Sequence, residues 1–151
     1  MQATNHQRKD AVSNTAAGKE FETSIKKFWL NQGIELSDSY SVLLGVSTKK
    51  KNHRFDFGCS NPKILVECKS HRWTEGNNTP SAKMTVWNEA MYYFSLCSNE
   101  YRKLFCVLRD YSEKRKMTLA EYYINTYEHL IPQKVEFWEF CAHDREAIKI
   151  L

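Results

Sequence analysis

The stretch 54–69, RFDFGCSNPKILVECK, contains two short apolar segments with a turn between them. Both segments alternate apolar and polar residues with a period of two, which is typical of a β-strand. The turn contains Asn61-Pro62, a dipeptide that favours turn formation. The sequence therefore predicts two strands, over 54–58 and 64–70, that pair as a hairpin.

The alternation also predicts which charged side chains lie on the same side of this hairpin. In the first strand the two phenylalanines are expected to point one way and Asp56 the other. In the second strand, Glu67 and Lys69 share the face opposite the apolar one. Two carboxylates and an amine on one rigid support are what a hard divalent cation and a water nucleophile require. The alternative is an exposed, salt-bridged face with no catalytic role.

Apolar periodicity and end signals predict the elements around the hairpin. The first helix is expected over 15–32, and the second over 79–97 with Thr79 as N-cap. A capping box, Thr118 with Glu121, opens a third helix that ends near Leu130. Further strands are expected over 41–46, 104–108 and 135–140, the second of them an inner strand and the third the final one. The predicted fold is α/β (α+β): an α-β-β-β-α-β core with a mixed central sheet flanked by helices, plus a C-terminal helix and strand.

Length and composition limit the class of protein. The chain has 151 residues, of which 42% are hydrophobic and 26% charged, so we expect one packed domain over 14–151 and a mobile polar arm over 1–13. No apolar run is long enough to span a membrane and no signal peptide is evident, so we expect a cytoplasmic protein without a membrane partner. The five cysteines include no Cys-x-x-Cys pair, which argues against a disulfide framework or a zinc site.

The basic residues are more informative in their distribution than in the net charge of +4. Lys49, Lys50 and Lys51 form a loop directly before the strand that carries Arg54 and Asp56. We expect these four basic side chains to contact nucleic-acid phosphates, the alternative being a solvated basic surface.

Asp56 on one strand and Glu67-Cys68-Lys69 on the next, inside this order of elements, resemble the PD-(D/E)xK nuclease superfamily, also called restriction-endonuclease-like. The resemblance covers about 15–108, and its motif residues are few. It implies that Asp56 and Glu67 bind the metal, that the Cys68 carbonyl is a further ligand, and that Lys69 is the catalytic lysine. It also implies Mg²⁺ as cofactor, with Mn²⁺ as a substitute. Phe55 stands where the nominal motif has proline.

The first helix of such nucleases often supplies another acid, and Gly18-Lys19-Glu20-Phe21-Glu22 resembles the start of that helix. Glu22 is therefore a candidate metal-binding and catalytic residue. A solvated helix glutamate is the alternative reading, and Glu20 is a less favoured substitute.

The segment that follows the second strand of the hairpin is expected to lie at the mouth of this site. We predict nucleic-acid contacts from four side chains there: Arg72, Asn77, Ser81 and Lys83. His71 is interpreted as a surface or loop histidine and not as a base. Trp87, Met91 and Phe94 are interpreted as core.

The expected activity is Mg²⁺-dependent hydrolysis of phosphodiesters in double-stranded DNA by metal-activated water. Among enzymes with this activity, a restriction-type, site-specific endonuclease is favoured. A structure-selective junction or repair nuclease, an RNA nuclease and a catalytically inactive DNA-binding module stay open. A double-strand cut needs two sites, so a homodimer or higher homo-oligomer is expected. The aromatic residues expected to offer contact surface are Tyr122, Tyr123, Tyr127, Phe137 and Trp138.

Overall fold

The computed structural model describes residues 6–142 and 146–151, and it contains three helices and eight strands within these ranges. The helices are α1 (His6–Asn31), α2 (Ser81–Leu96) and α3 (Leu119–Tyr127), the last followed by a 3₁₀ turn (Glu128–Leu130). The strands are β1 (Ser37–Leu44), β2 (Lys51–Ser60), β3 (Lys63–Lys69), β4 (Arg102–Leu108), β5 (Tyr111–Ser112), β6 (Met117–Thr118), β7 (Val135–Phe140) and β8 (Ala147–Lys149).

Six of the strands form one sheet in the order β1-β2-β3-β4-β7-β8. The sheet is mixed, as predicted. β1, β2 and β3 are antiparallel neighbours, β3, β4 and β7 are parallel, and β8 runs antiparallel to β7. Parallel neighbours need a crossover, and α2 and α3 provide these two connections. Every residue of β4 after Arg102 is buried, which confirms the predicted inner strand.

Helices cover both faces of this sheet. On one face, α2 and α3 pack a core that includes Trp87, Phe94, Phe105, Tyr123 and Phe137. On the other face, α1 packs a second core through Ile25 and Trp29 against Val66, Leu104 and Phe140. Because β3 is covered on both sides, side chains along its length alternate between the two cores.

Two predictions made for the α2 and α3 face are confirmed. Trp87, Met91 and Phe94 are all buried in its core. The capping box is present, since the Glu121 backbone N–H donates to Thr118 Oγ1 at 3.1 Å and the Thr118 N–H donates to Glu121 Oε2 at 2.7 Å. This reciprocal pair fixes the start of α3 after the β5–β6 hairpin.

The first helix differs from its predicted extent. α1 begins at His6 and not at residue 15, so 6–13 are helical where an arm was expected, and 1–5 lie outside the described residues. The early turns are polar, so they show no apolar stripe from which a helix could be recognised.

Three other boundaries need correction. β1 covers Ser37–Leu44, whereas a strand over 41–46 was expected. The N-cap of α2 is Pro80 and not Thr79, and no side chain caps it. The Thr79 carbonyl accepts from the Ser81 N–H at 2.9 Å in a tight turn, so the helix begins after Pro80. The strand over 135–140 is present but is not the last, because β8 adds to its free edge.

The aromatic residues expected to form a dimer interface belong to the core instead. Tyr123 and Phe137 are fully buried, Tyr122 and Tyr127 pack partly buried against the same core, and Trp138 meets Trp29 at 5.0 Å. The prediction that these side chains offer spare apolar surface is therefore wrong for Tyr123 and Phe137, whereas the other three are only partly buried. None of the helices in the described part of the chain is both long and apolar enough to cross a membrane.

Gly58 allows the close approach of β1 to β2, and this contact predicts a stability difference. A Cβ at Gly58 would lie 2.3 Å from Tyr40 Cγ, whereas a Cβ at Gly18 of α1 would meet only Ser70 Oγ, at 4.0 Å. We expect Gly58→Ala to lower the free energy of unfolding by about 1–3 kcal/mol. Gly18→Ala should raise it by about 0.5–1 kcal/mol, since alanine favours a helix interior. Urea denaturation of both variants checks this, and equal effects would contradict the packing described.

Candidate active site

The candidate site lies where β2 separates from β3. The pairing of the two strands runs from Ser60 with Lys63 to Phe57 with Val66 and ends there. Just beyond the last pair, the backbone N–H of Cys68 donates to Asp56 Oδ2 at 2.7 Å. The side chain of Asp56 thus takes the place of a strand partner for this amide, as buried backbone groups require.

The two phenylalanines beside Asp56 do not share a face, contrary to the prediction. Phe55 stacks on Phe94 at 5.4 Å in the core under α2, whereas Phe57 packs in the core under α1. β2 therefore turns about its axis at Asp56, where its pairing with β3 ends. Opposite this point in β1, Ser39 has a φ of 51° and no paired residue. The carboxylate of Asp56 consequently lies between the two faces of the sheet.

Glu67 and Lys69 share one side of β3, as predicted, and form an ion pair. Lys69 Nζ lies 2.9 Å from Glu67 Oε1, and the side chains are only 17% and 14% exposed. Burial, more than the other causes, raises the pKa of Glu67 to about 7; the charge of Lys69 opposes this and that of Asp56 adds to it. Burial also works against a charge on Lys69, but Glu67 and then Asp56 outweigh it and raise the pKa of Lys69. Lys69 is therefore a cation at neutral pH.

The second oxygen of Glu67 is left without a partner. Glu67 Oε2 is buried and accepts no hydrogen bond among the described residues. An unpaired buried carboxylate oxygen is unfavourable by about 1–3 kcal/mol or more, so a further positive partner at this atom would be strongly favoured.

Glu22 of α1 acts on the same site. It is half-buried, and burial first and the charge of Asp56 second raise its pKa, while Lys19 and Lys69 oppose this. Glu20 is exposed and lines a groove beside α1, together with Lys27 and Arg72. The structure thus turns Glu22, and not Glu20, toward Asp56.

The thiol of Cys68 cannot take part in the site, which leaves only its backbone carbonyl as a candidate ligand. Its side chain is buried in the core under α1, and burial raises the pKa of the thiol well above its ordinary value. Within residues 6–142 and 146–151, no group of three or more His, Cys, Asp or Glu side chains is arranged to hold a metal ion. Asp56, Glu67 and Glu22 therefore interact through their charges without converging as a ready set of ligands.

The predicted basic loop is shorter than expected, because Lys51 is already the first residue of β2. Lys49, Lys50 and Lys51 lie at the same end of the sheet as Lys69, since β2 and β3 run in opposite directions. Lys49, Lys51 and Arg54 are exposed there. Lys50 is exposed too, but its Nζ donates to the Gly45 carbonyl at 2.7 Å and closes the loop.

The residues predicted at the mouth of the site fall into two groups. Arg72, Ser81 and Lys83 are exposed, and Arg72 lies 3.7 Å from Asp110. Asn77 is engaged elsewhere: its Oδ1 accepts from Ser112 Oγ at 3.0 Å, and its carbonyl accepts from Arg115 Nε at 2.7 Å. Asn77 therefore ties the loop to the β5–β6 hairpin, and its contact with nucleic acid stays a prediction.

His71 was not predicted to belong to the site. It is half-buried, and its Nδ1 accepts a 2.7 Å hydrogen bond from Trp87 Nε1 of α2. One signal in the sequence points to it, since His71 follows Glu67 and Lys69 in the same period of two.

Comparison of the chain with protein-family models, with curated proteins and with solved structures found no match.

The raised pKa of Glu67 predicts a pH dependence of stability in chelator. The folded state holds the proton of Glu67 up to about pH 7, whereas the unfolded chain releases it near the ordinary value of 4.5. The resulting stabilisation is complete below pH 4.5 and is lost as pH rises through about 7. Glu67→Gln should therefore gain stability relative to wild type over this range, by roughly 1–3 kcal/mol.

Urea denaturation at several pH values measures this difference, with Glu20→Gln as the exposed control. A constant difference between wild type and Glu67→Gln would show that Glu67 titrates normally.

Proposed function

We propose that this chain is a Mg²⁺-dependent DNA endonuclease with a restriction-endonuclease-like core. The observation that carries the proposal is the buried, unpaired Oε2 of Glu67 beside Asp56, with Lys69 held at the other oxygen. The order α1-β1-β2-β3-α2-β4 supports it, with the acid on β2 and Glu67-Cys68-Lys69 on β3.

The donor set suits a hard cation. Mg²⁺ binds through a few carboxylate oxygens and keeps several waters, so it does not need a full cage of protein ligands. Asp56, Glu67 and the Cys68 carbonyl would hold it, with Glu22 as a further acid. The charge of Asp56 raises the pKa of both Glu67 and Glu22, and a cation among these groups would remove that repulsion. When bound, it would polarise the phosphate and lower the pKa of a water molecule.

Lys69 contributes a fixed positive charge. Its ion pair with Glu67 Oε1 at 2.9 Å holds Nζ at the end of β3, so little freedom is lost when substrate binds. From this position Lys69 would orient the attacking water or stabilise the negative charge that develops on the phosphate.

The proposed substrate is double-stranded DNA. Its phosphates would meet the exposed Lys49, Lys51 and Arg54 at one side of the site and Arg72, Ser81 and Lys83 at the other. Restriction-type cleavage is the form we propose, with structure-selective cleavage as the alternative. A homodimer would supply the second site for a double-strand cut. A cytoplasmic location is also proposed, supported by five free cysteines.

One observation favours a second candidate, a catalytically inactive DNA-binding module on the same fold. The acids of the site do not form a ready three-ligand group in the described part of the chain. A module of this kind would bind DNA through the same basic residues and leave it uncut.

Isosteric substitutions test the proposed roles. Asp56→Asn, Glu67→Gln, Lys69→Met and Glu22→Gln should each lower the rate of plasmid cleavage in Mg²⁺, the first three by about a hundredfold or more. Glu20→Gln is the matched control on α1 and should cleave as wild type does. Mn²⁺ should replace Mg²⁺, and Ca²⁺ should support binding without cleavage.

The same assay separates the two candidate functions. Near-normal cleavage by any of the first three variants would remove that residue from the site. DNA that is bound but never cut by the wild-type protein, whether supercoiled, relaxed or branched, would establish the inactive module.

The basic loop should contribute to DNA affinity through phosphate contacts alone. Changing Lys49, Lys50 and Lys51 to glutamine should weaken binding to every DNA sequence. The slope of log affinity against log salt should fall by up to about one unit for each lost contact. Fluorescence anisotropy at several salt concentrations measures this, and an unchanged slope would mean that the loop is a solvated turn.

A further inference from the structure

His71 is held against α2 at the edge of the proposed site. It lies two residues beyond Lys69, where the chain leaves β3, and its ring lies 6.3 Å from that of Trp87 with an angle of 27° between the planes. The indole Nε1 of Trp87 donates to His71 Nδ1 at 2.7 Å.

This hydrogen bond determines the tautomer of the imidazole. An indole N–H is only a donor, so Nδ1 must present its lone pair to it and carries no proton. The proton of the neutral ring is therefore on Nε2. If Nδ1 also carried a proton, it would face the Nε1–H of the buried Trp87 as a second donor, and the hydrogen bond would be lost.

The other ring nitrogen of His71, Nε2, is available to donate a hydrogen bond. It makes no hydrogen bond within the described residues, and it is not fully buried. Nε2 therefore reaches solvent and can donate to a ligand.

The charges around the ring favour an anion at this end. Lys83 lies four residues before Trp87 in α2, so the two side chains share one face of the helix. Burial first, and then the charges of Lys83 and Lys69, lower the pKa of His71 to about 4. The ring thus stays neutral beside two cations, and it offers a donor without adding a third charge.

We propose that His71 Nε2–H and Lys83 Nζ together bind a non-bridging oxygen of a substrate phosphate, next to Lys69. His71 is then a substrate-binding residue and not a general base, because its only lone pair is held by Trp87. The identity of the ligand as a phosphodiester rests on the proposed nuclease function, whereas the tautomer of His71 does not.

The tautomer is measured on the wild-type protein. Histidine labelled with ¹⁵N, observed in two-bond ¹H–¹⁵N spectra between pH 5 and 8, reports the protonation of each ring nitrogen, and His71→Gln assigns the signals. We expect a proton on Nε2 and none on Nδ1 throughout this range. A proton on Nδ1, or titration near the ordinary value of 6.5, would overturn the proposal.

The donor role is measured by the affinity for a fluorescein-labelled DNA duplex in chelator, where no cleavage takes place. His71→Phe should weaken binding about tenfold, the size of one hydrogen bond to a charged group. His71→Gln should restore most of this loss, because its amide N–H₂ also donates. His129→Phe, at an exposed histidine of the 3₁₀ turn, is the matched control and should bind as wild type does. The ratio of wild-type to His71→Phe affinity should not change between pH 5.5 and 8.

The possible failures are distinguishable. Equal affinities for wild type and His71→Phe would overturn the phosphate subsite alone. Loss in His71→Phe without recovery in His71→Gln, at unchanged thermal stability, would also overturn the donor role. A wild-type protein that binds no DNA would overturn both the phosphodiester ligand and the proposed nuclease function, while the NMR result would still test the tautomer.

Discussion

The hydrogen bond from the Cys68 backbone N–H to Asp56 Oδ2, at 2.7 Å, is the contact on which the arrangement of the site depends. It occurs where β2 stops pairing with β3, and it satisfies a backbone donor that would otherwise lose its partner. A carboxylate in that place keeps one acid at the junction of the two strands.

The position of β3 explains why its charged residues lie only toward its two ends. Ile64, Leu65 and Val66 are all buried, because α1 covers one face of the strand and α2 the other. The charged side chains lie outside this apolar centre: Lys63 is exposed at the start of the strand, and Glu67 and Lys69 lie at its carboxyl end. Even there, Glu67 is buried enough to leave Oε2 without a partner. Local violations of good packing and pairing of this kind are expected at functional sites, where stability is lost for the sake of ligand binding.

Much of this arrangement can be predicted from short-range patterns. The period of two places Glu67 and Lys69 together, and the capping box of Thr118 and Glu121 gives the start of α3. The turn of β2 at Asp56 cannot be predicted in this way, because it depends on the end of the pairing with β3 and on the left-handed conformation of Ser39 in a neighbouring strand. The β5–β6 hairpin escapes detection because each strand has only 2 residues, too few for any periodicity to show. The tautomer of His71 is likewise hidden, since it is determined by Trp87 of a separate helix.

Paramagnetic Mn²⁺ tests most directly whether a divalent cation binds between Asp56 and Glu67, as proposed. Substoichiometric Mn²⁺ added to ¹⁵N-labelled protein broadens amide signals close to the ion. The account predicts that broadening centres on the amides of Asp56, Glu67 and Cys68, extends to Glu22, and is reversed by excess Mg²⁺. Broadening centred elsewhere, or none at millimolar Mn²⁺, would contradict the metal site and with it the proposed chemistry.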